Sequence, residues 1–386
     1  MDRFKRQPRN RAAYFASYHL IPLDVREAPY TPPGPGEVVI RNHAVAINGI
    51  DVVKQLVGDS VLPWIKYPFV LGNDVSGTVV EVGQVDDTTH ISHLKPGDRV
   101  VGLAVGTTKE LNKSSHSTFQ CYTVLRSTLV AKIPDSLSFE GACVLPLDLS
   151  TAAYGLFLKD FLALRYPVAR ESTNADSRSA IVIWGGSTSI GSHAIQLAAA
   201  AGYEVFTTAS PKNFEYVKAL GASHVWDCQD PRTVKSMIKA LQNKDYAGAL
   251  AAGNGSLEAC IKVVASVPGR RFVSQATIPI GPSKTTLDVI TTVTGYIWWS
   301  LSVTIKAKFK GVTTKLICDF DPTNSEVGPI IFNEFLPKAL ANGTFVAKPD
   351  PQVVGKGLAH IQTGLNAYKD ALKQGVSMEK KLVVSL

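Results

Sequence analysis

The stretch Ala180-Ile-Val-Ile-Trp-Gly-Gly-Ser-Thr-Ser-Ile-Gly191 decides the fold class of this 386-residue chain. Its first five residues form a continuous apolar run, which is typical of a strand buried on both faces of a parallel sheet. A turn of glycine and other small residues follows. Apolar residues then recur at helical spacing, at Ile190, Ala194, Leu197, Ala198 and Ala201. The pattern therefore predicts a strand, a glycine-rich turn and a helix in succession.

Strand and helix patterns alternate on the carboxyl side of this stretch, whereas the amino side is rich in strand patterns. On the carboxyl side the predicted elements are strands over 204–209, 224–227 and 270–275 and helices over 214–220 and 231–241. Such alternation implies a doubly wound parallel sheet, with helices on both faces. On the amino side, apolar runs between glycine and proline predict short barrel strands over 37–41, 76–82 and 98–102. We therefore predict an α/β chain of two domains, which ends in a helix over 361–373 and a strand over 381–386.

Composition excludes several classes of protein. The chain is 45% hydrophobic and 19% charged, so it is neither disordered nor collagen-like. Its net charge is +8, but five basic residues lie within the first eleven, so the body is only mildly basic. A mildly basic body argues against a dedicated nucleic-acid surface. Five cysteines without a C-x-x-C spacing predict reduced thiols in a cytoplasmic protein.

Two segments bear on targeting and on membranes. The arginine-rich start is interpreted as a solvated basic tail, with a mitochondrial transit peptide as the alternative, and no signal-peptide run is present. The longest apolar stretch, over 289–305, contains many threonine and serine residues and is short for a membrane helix. We predict that it forms core or subunit-contact surface.

The turn over 185–191 is the clearest chemical signal. Small residues let the backbone approach a pyrophosphate, which the free N–H groups and the positive end of the next helix stabilise. An ATP-binding loop is excluded, because Ser192 stands where such a loop requires lysine. The turn lacks a strict G-x-G-x-x-G pattern, so a plain tight turn is the alternative. Its place between a buried strand and a helix favours a dinucleotide site.

Residues 207–213 indicate which dinucleotide binds. A carboxylate about 20 residues beyond the glycines would bind the ribose 2′-hydroxyl of NAD(H), but this segment contains no acid. It offers Ser210 and Lys212, whose hydroxyl and ammonium attract a 2′-phosphate. The sequence therefore favours NADP(H). The same residues can also cap the helix that contains Phe214, and the two roles are compatible.

A set of motifs extends along nearly the whole chain. The motifs are Pro33-Gly-Pro-Gly-Glu-Val-Val-Ile40, Ala46-Ile-Asn-Gly-Ile-Asp51, Leu71-Gly-Asn-Asp-Val-Ser-Gly-Thr-Val-Val-Glu-Val-Gly83, Pro96-Gly-Asp-Arg-Val100, Leu149-Ser-Thr-Ala-Ala153, the turn over 185–191 and Lys381-Leu-Val-Val384. Together they resemble the medium-chain dehydrogenase/reductase superfamily, in its quinone oxidoreductase and enoyl reductase branch. The resemblance is greatest to fungal zinc-independent enoyl reductases that work in trans with polyketide synthases. It implies a GroES-like catalytic domain over 1–157 and 315–386 and a Rossmann NADP(H)-binding domain over 158–314.

The resemblance also bears on metal binding. Zinc-dependent relatives carry a cysteine at the position of Asn48 and a His-Glu pair at the positions of Asn73 and Asp74. Asparagine is a poor zinc ligand, and one carboxylate does not replace a Cys/His/Cys-type ligand set. We therefore predict no metal. Hydride addition to a C=C bond conjugated to a carbonyl suits such a site, because hydrogen bonds suffice to stabilise the enolate.

The resemblance assigns roles to individual residues. It places Asn48, Asp51 and Lys54 beside the nicotinamide and the substrate, with Thr151 across the cleft. Lys54 is predicted to stabilise an enolate, and an ordinary surface lysine is the alternative. The proton donor stays open between Tyr67, Asp148 and solvent. The predicted cofactor contacts are Gly185, Gly186, Ser187, Thr188, Ser189, Ile190, Gly191, Ser210, Lys212, Asn213, Cys228 and Gln275.

Three functions follow as expectations. The first is an NADPH-dependent reductase of activated C=C bonds, acting on a small-molecule or carrier-bound substrate, with a polyketide synthase as partner. The second is a quinone oxidoreductase with the same cofactor site. The third is a non-catalytic NADPH-binding protein of the crystallin or RNA-binding type. We expect a monomer or homodimer in the cytoplasm, without a membrane or nucleic-acid partner.

Overall fold

The computed structural model describes residues 8–17, 21–84, 94–169, 179–277, 286–317, 325–374 and 378–386. The basic start over 1–7, residues 170–178 and Cys318 lie outside these ranges. The cysteines within them are free thiols.

The strands are numbered in chain order. They are β1 (Asn10–Phe15), β2 (Asp24–Ala28), β3 (Glu37–Ala46), β4 (Phe69–Val70), β5 (Asp74–Val82), β6 (Arg99–Leu103), β7 (Tyr122–Arg126), β8 (Val130–Lys132), β9 (Ala180–Trp184), β10 (Glu204–Ala209), β11 (His224–Asp227), β12 (Tyr246–Ala251), β13 (Phe272–Gln275), β14 (Thr313–Leu316), β15 (Pro351–Lys356) and β16 (Lys381–Ser385).

The helices are numbered in the same way. They are α1 (Gly49–Val57), α2 (Phe139–Ala142), α3 (Pro146–Phe157), α4 (Ser189–Ala200), α5 (Phe214–Ala219), α6 (Thr233–Leu241), α7 (Ser256–Ser266), α8 (Thr286–Phe309), α9 (Val327–Pro329), α10 (Leu336–Ala341) and α11 (Ile361–Gln374). A π-helical segment, Ile330–Phe335, joins α9 to α10.

The predicted parallel sheet is confirmed, with the strand order β11-β10-β9-β12-β13-β14. Its strand pairs are parallel, and the apolar strand β9 is buried along its whole length. The chain proceeds outward from β9 to β11 and then returns to place β12 on the other side of β9. Ligands of such sheets bind beyond the carboxyl ends of the strands at this reversal. The predicted boundary between 314 and 315 falls inside β14, which completes this parallel-sheet domain.

The first and last parts of the chain share a second sheet, in the order β15-β16-β3-β5-β6-β8, with β7 also paired to β3. The carboxyl-terminal strand β16 runs antiparallel to β3, so that Val383 lies opposite Ala46. On the other side of β3, Asp74 of β5 lies opposite the same Ala46. The β-rich domain is therefore built from both ends of the chain, as the GroES-like resemblance implies.

Helix α3 connects the two domains. It packs along α4 on one side. At Gly155 the packing is so close that an added Cβ would lie 2.4 Å from the side chain of Ile317. At its other end, the backbone N–H of Leu147 donates to Asp74 Oδ1 at 2.7 Å. The first turn of α3 is thereby held against the β-rich domain.

Helix α8 covers the apolar stretch predicted as core or subunit-contact surface, and its described part is partly buried and partly exposed. Val303 and Ala307 are buried against α7 and β13. Trp298, Leu301, Ile305 and Phe309 are exposed. Among the described residues, no helix has both the length and the apolar content needed to cross a bilayer.

Candidate active site

A cluster of buried polar side chains lies where the two domains meet. The ammonium of Lys381 donates to Asn48 Oδ1 at 2.6 Å and to Asp148 Oδ2 at 2.6 Å, and it lies 3.3 Å from Asp74 Oδ2. Asn48 Nδ2 in turn donates to Asp74 Oδ2 at 3.0 Å. The ammonium therefore has two hydrogen-bond acceptors and a second carboxylate within ion-pair distance. We name Asn48, Asp74, Asp148 and Lys381 the lysine cluster.

The register of the β-rich sheet assembles this cluster. Strand β3 ends at Ala46, and Asn48, two residues later, is the N-cap of α1. The neighbours of β3 begin with a charged residue on each side, Asp74 on β5 and Lys381 on β16. Asp148 comes from the first turn of α3. Residues far apart in sequence thus meet at one end of a sheet.

Burial and charge act in opposite directions on the cluster. Burial raises the pKa of the Asp74 carboxyl despite the nearby ammonium. Burial would also raise the pKa of Asp148, but attraction to Lys381 and hydrogen bonds from Lys381 and Ser189 outweigh it and lower that pKa. For Lys381, burial opposes the charge, while Asp148 and Asp74 raise its pKa. At neutral pH the cluster therefore holds a charged Lys381–Asp148 pair.

Asp51 supports the lysine cluster through hydrogen bonds to the backbone. Its carboxylate accepts from the backbone N–H of Asn48 at 3.0 Å and from that of Gly72 at 3.2 Å. Its side chain is buried, and burial raises the pKa of Asp51 to about 7. The predicted site residue Asp51 thus holds Asn48 and the segment before Asp74 in place, with both oxygens engaged.

The turn over 185–191 follows β9 at the reversal of the strand order. Gly185 has a φ of +84°, and a Cβ there would lie 2.0 Å from the carbonyl oxygen of Ala252. A Cβ on Gly186 would lie 2.3 Å from Thr207 Oγ1. Both positions require glycine because the backbone packs directly on neighbouring strands. The turn can therefore present its outer N–H groups closely to a phosphate.

The hydroxyl of Thr188, a predicted cofactor contact, has hydrogen-bond partners within the turn. It donates to the carbonyl of Gly185 at 2.8 Å and accepts from the N–H of Gly191 at 3.1 Å, so it caps α4. Its single hydrogen is already used. Ser189 Oγ donates to Asp148 Oδ2 at 2.6 Å. That bond joins the turn directly to the lysine cluster.

The other predicted cofactor contacts lie at the carboxyl ends of the same strands. The N–H of Cys228 donates to the carbonyl of Ala209 at 3.2 Å, which places Cys228 beside the residue that precedes Ser210. Asn213 Nδ2 lies 3.3 Å from Ser210 Oγ. Gln275 is buried and donates to the carbonyl of Thr277 at 2.9 Å. The strand ends therefore gather these residues on the edge of the sheet that carries the turn.

The comparisons with known proteins agree with this architecture. The alcohol dehydrogenase GroES-like domain matches residues 34–135. The dehydrogenase pigH of Monascus ruber is 46% identical over 382 residues, which cover 98% of this chain and 100% of that protein. The chain belongs to the medium-chain dehydrogenase/reductase superfamily. The trans-enoyl reductase himH of Aspergillus japonicus is 36% identical, over 90% of this chain and 89% of that protein.

A solved structure shares the fold of this superfamily member over its length. The CurK enoyl reductase superposes with a TM-score of 0.67 at 21% identity, covering 98% of this chain and 99% of that chain. As a member of the medium-chain dehydrogenase/reductase superfamily the chain is an oxidoreductase, and its fold implies a nicotinamide cofactor. The tight turn at the strand reversal fits the diphosphate of such a cofactor.

Asn48 and Asn73, two positions that the resemblance associates with zinc binding, are hydrogen-bonded within the protein. Asn48 directs its amide N–H groups at Asp74 and its oxygen at Lys381. Asn73 donates to the carbonyl of Ala104 at 2.9 Å and to Thr107 at 3.2 Å. Among the described side chains, no group of three or more histidine, cysteine, aspartate or glutamate residues could hold a metal ion.

Lys54 has neither of its two expected roles. It is fully buried, so it is not a surface lysine. Its ammonium donates to the carbonyls of Gly58, Val61 and Leu62 at 2.9 to 3.2 Å and lies 3.2 Å from Asp59. These contacts fix the loop after α1 and leave no donor for an enolate.

Thr151 and Tyr67 also have partners within the protein. Thr151 Oγ1 donates to the carbonyl of Leu147 at 2.9 Å. It lies one turn beyond Asp148 on α3, so the two residues share a helix face. Tyr67 donates its hydroxyl to Asp59 at 2.7 Å. The structure thus groups Thr151 with the lysine cluster and Tyr67 with the Lys54 loop.

The sequence motifs included Lys381 but did not reveal its role. The residue precedes an apolar run, Leu-Val-Val, which forms a buried strand. A charged residue at the start of a buried strand has to find a partner, and that signal could have marked it. The sequence patterns also did not single out His193. This residue is fully buried on α4, and burial lowers its pKa to about 4.

Proposed function

We propose that this protein is an NADPH-dependent, zinc-independent reductase that adds a hydride to a C=C bond conjugated to a carbonyl group. The observation that carries the proposal is the ammonium of Lys381, bonded to Asn48 and close to Asp74. Those two residues stand where zinc-dependent relatives have ligands, so a lysine provides the local positive charge. A site without a Lewis acid favours an acceptor that is already activated.

The cofactor would lie across the carboxyl edge of the parallel sheet. The turn over 185–191 would hold its diphosphate, and Ser210 and Lys212 would hold its 2′-phosphate. When bound, NADPH supplies a hydride from C4 of the nicotinamide. Asn48, at the start of α1, and Thr151, on α3, would flank the nicotinamide. The lysine cluster keeps both residues in register, because it ties α1 to α3.

Protonation of the reduced substrate falls to water in this proposal. Asp148 is a poor acid, because its pKa is lowered and it stays ionised at neutral pH. The Tyr67 hydroxyl is directed at Asp59. Solvent is then the remaining member of the three predicted donors.

The proposed substrate is an α,β-unsaturated acyl group, small or carried on a synthase. Similarity to a trans-enoyl reductase over most of both chains supports this class. The acyl carrier of a polyketide synthase would be the partner that delivers it. Such a role suits an oxidoreductase of secondary metabolism.

The test is a rate measurement with the purified protein. Oxidation of NADPH is followed against enoyl thioesters, enones and quinones and repeated with NADH. We expect turnover of the enoyl thioesters and a preference for NADPH of about 10-fold to 100-fold, the value of one charge-assisted contact. Turnover of quinones alone would assign a quinone oxidoreductase. Binding without any oxidation would assign a non-catalytic protein, and zinc retained at one ion per chain would overturn zinc independence.

A further inference from the structure

Lys212, which the proposed function assigns to the 2′-phosphate, already has an anionic partner. Its ammonium donates to the carboxylate of Glu379. Lys212 follows β10 in the parallel-sheet domain, whereas Glu379 lies between α11 and β16 in the β-rich domain. The two residues are 167 positions apart, so this ion pair connects the domains. It does so at the edge of the sheet where the adenosine end of a dinucleotide would lie.

We propose that Glu379 is a specificity-determining residue, which competes with the 2′-phosphate of NADPH for the ammonium of Lys212. This inference rests on the proposed function, since it needs a dinucleotide on the turn over 185–191. A carboxylate and a phosphate seek the same donors. Binding of NADPH therefore has to break the pair, whereas NADH, which lacks the phosphate, leaves it intact. The residue lowers the affinity for one cofactor only.

The exposure of the pair makes such an exchange feasible. The side chains of Lys212 and Glu379 are 67% and 66% exposed, so both return to water when the pair breaks. Exposed ion pairs are weak, and a phosphate with nearly two negative charges is the stronger partner. Glu379 is therefore displaced rather than blocking the site.

The charges around the pair favour an anion at this position, whether it is a carboxylate or a phosphate. Lys380 is exposed and follows Glu379 directly, and its charge acts on the same carboxylate. Ser210 precedes Lys212 by two residues, and its Oγ lies 3.3 Å from Asn213 Nδ2. Once Glu379 has moved away, the phosphate would meet two lysines and a hydroxyl. Two effects of Glu379 then weaken NADPH binding: its carboxylate has to separate from Lys212, and it repels the phosphate.

The experiment compares Glu379→Gln, Lys212→Gln and the double variant with the wild-type protein. Asp135→Asn is the matched control, because it neutralises a fully exposed carboxylate that is paired with Arg99. The dissociation constants of NADPH and NADH are measured separately, from the fluorescence of each reduced nucleotide, at low and high salt. This readout needs no substrate and no turnover.

For Glu379→Gln we expect NADPH to bind about threefold to tenfold more tightly, from the loss of one exposed pair and of one nearby repulsion. NADH should bind within about twofold of the wild-type value, and the gain for NADPH should shrink at high salt. The Lys212→Gln background should abolish most of the gain. Asp135→Asn should change neither constant by more than about twofold.

The outcomes separate this inference from the proposed function. If Lys212→Gln weakens NADPH binding but Glu379→Gln leaves it unchanged, the competition is refuted and the cofactor site stands. An equal gain for NADH and NADPH in Glu379→Gln refutes the inference as well. If neither nucleotide binds to the wild-type protein, the proposed function fails and the inference fails with it.

Discussion

Replacement of Lys381 by methionine should destabilise the protein by about 3–5 kcal/mol, the usual effect of breaking a buried ion pair. The methionine keeps most of the side-chain volume but removes the charge that Asp148 and Asp74 face. At an effective dielectric constant of about 20, unit charges 2.6 Å apart attract by roughly 6 kcal/mol, which bounds the contribution of the Lys381–Asp148 contact. Relaxation and water entry reduce that figure. For a chain of this length the melting temperature should fall by roughly 4–6 °C.

The pH dependence identifies the cause of the loss. In the wild-type protein the pKa of Asp148 is lowered, so its contribution is present above its unfolded pKa and is lost only in strong acid. Without the ammonium, burial dominates and raises that pKa. The variant then binds a proton on folding and regains stability as the pH falls from 8 to 5. The difference in stability between the wild-type protein and the Lys381→Met variant should therefore become smaller as the pH falls from 8 to 5.

The assay is urea unfolding followed by fluorescence at pH 5 and pH 8. Lys244→Met is the matched control, because Lys244 pairs with Glu204 at 2.7 Å with a third of its side chain exposed. We expect the Lys244→Met control to lose less than about 1 kcal/mol of stability. Its difference in stability from the wild type should change little between pH 5 and pH 8. A Lys381→Met variant within about 1 kcal/mol of the wild type at pH 8 would refute the reasoning.

Three other variants test the site. Gly186→Ala places a Cβ 2.3 Å from Thr207 Oγ1, so titration calorimetry should show NADPH binding weakened by at least about tenfold, whereas Gly295→Ala, whose Cβ meets open space, should change nothing. The Lys54→Met variant should be less stable than the wild type by about 1–3 kcal/mol in urea unfolding, with kcat of the folded enzyme retained, because the Lys54 ammonium satisfies three backbone carbonyls. A loss of kcat at unchanged stability would return Lys54 to the chemistry. For Asp51→Asn, the stability difference from wild type should decrease from pH 5 to pH 8. Because the pKa of Asp51 is raised to about 7, the wild-type protein takes up a proton on folding at pH 5. This contribution to its stability is lost as the pH rises through about 7.

Local patterns predicted the class of the parallel-sheet domain and its first elements, but not strand β12 or helix α7. Strand β9 and helix α4 were predicted because an apolar run and a helical period are properties of neighbouring residues. The glycine positions of the turn were predicted for the same reason. The edge strand β14 was cut by the predicted boundary, since its sequence, Thr-Thr-Lys-Leu, carries no apolar run.

The lysine cluster could not be predicted in this way. Lys381 and Asp148 are 233 positions apart, and their meeting depends on the pairing of β16 with β3 and on the packing of α3. Lys54 shows the same limit on a shorter scale. Its helix is amphipathic, but only the fold of the chain after Gly58 brings three carbonyls to its ammonium. The spacing of residues in the sequence does not indicate where a loop reverses its direction.

The charge of the domain junction explains why a lysine suits this site. Asp148 is held ionised, and its Oδ2 lies 2.6 Å from the ammonium of Lys381, so its charge would be left unpaired without that ammonium. Asn48 is a neutral amide that adds no charge, and its oxygen accepts a second hydrogen bond from the ammonium. The monovalent ammonium therefore compensates the charge of Asp148 in a site that is largely closed to water. Lys381 and Asp148 are therefore two parts of one electrostatic arrangement, and removal of either one leaves the charge of the other unpaired.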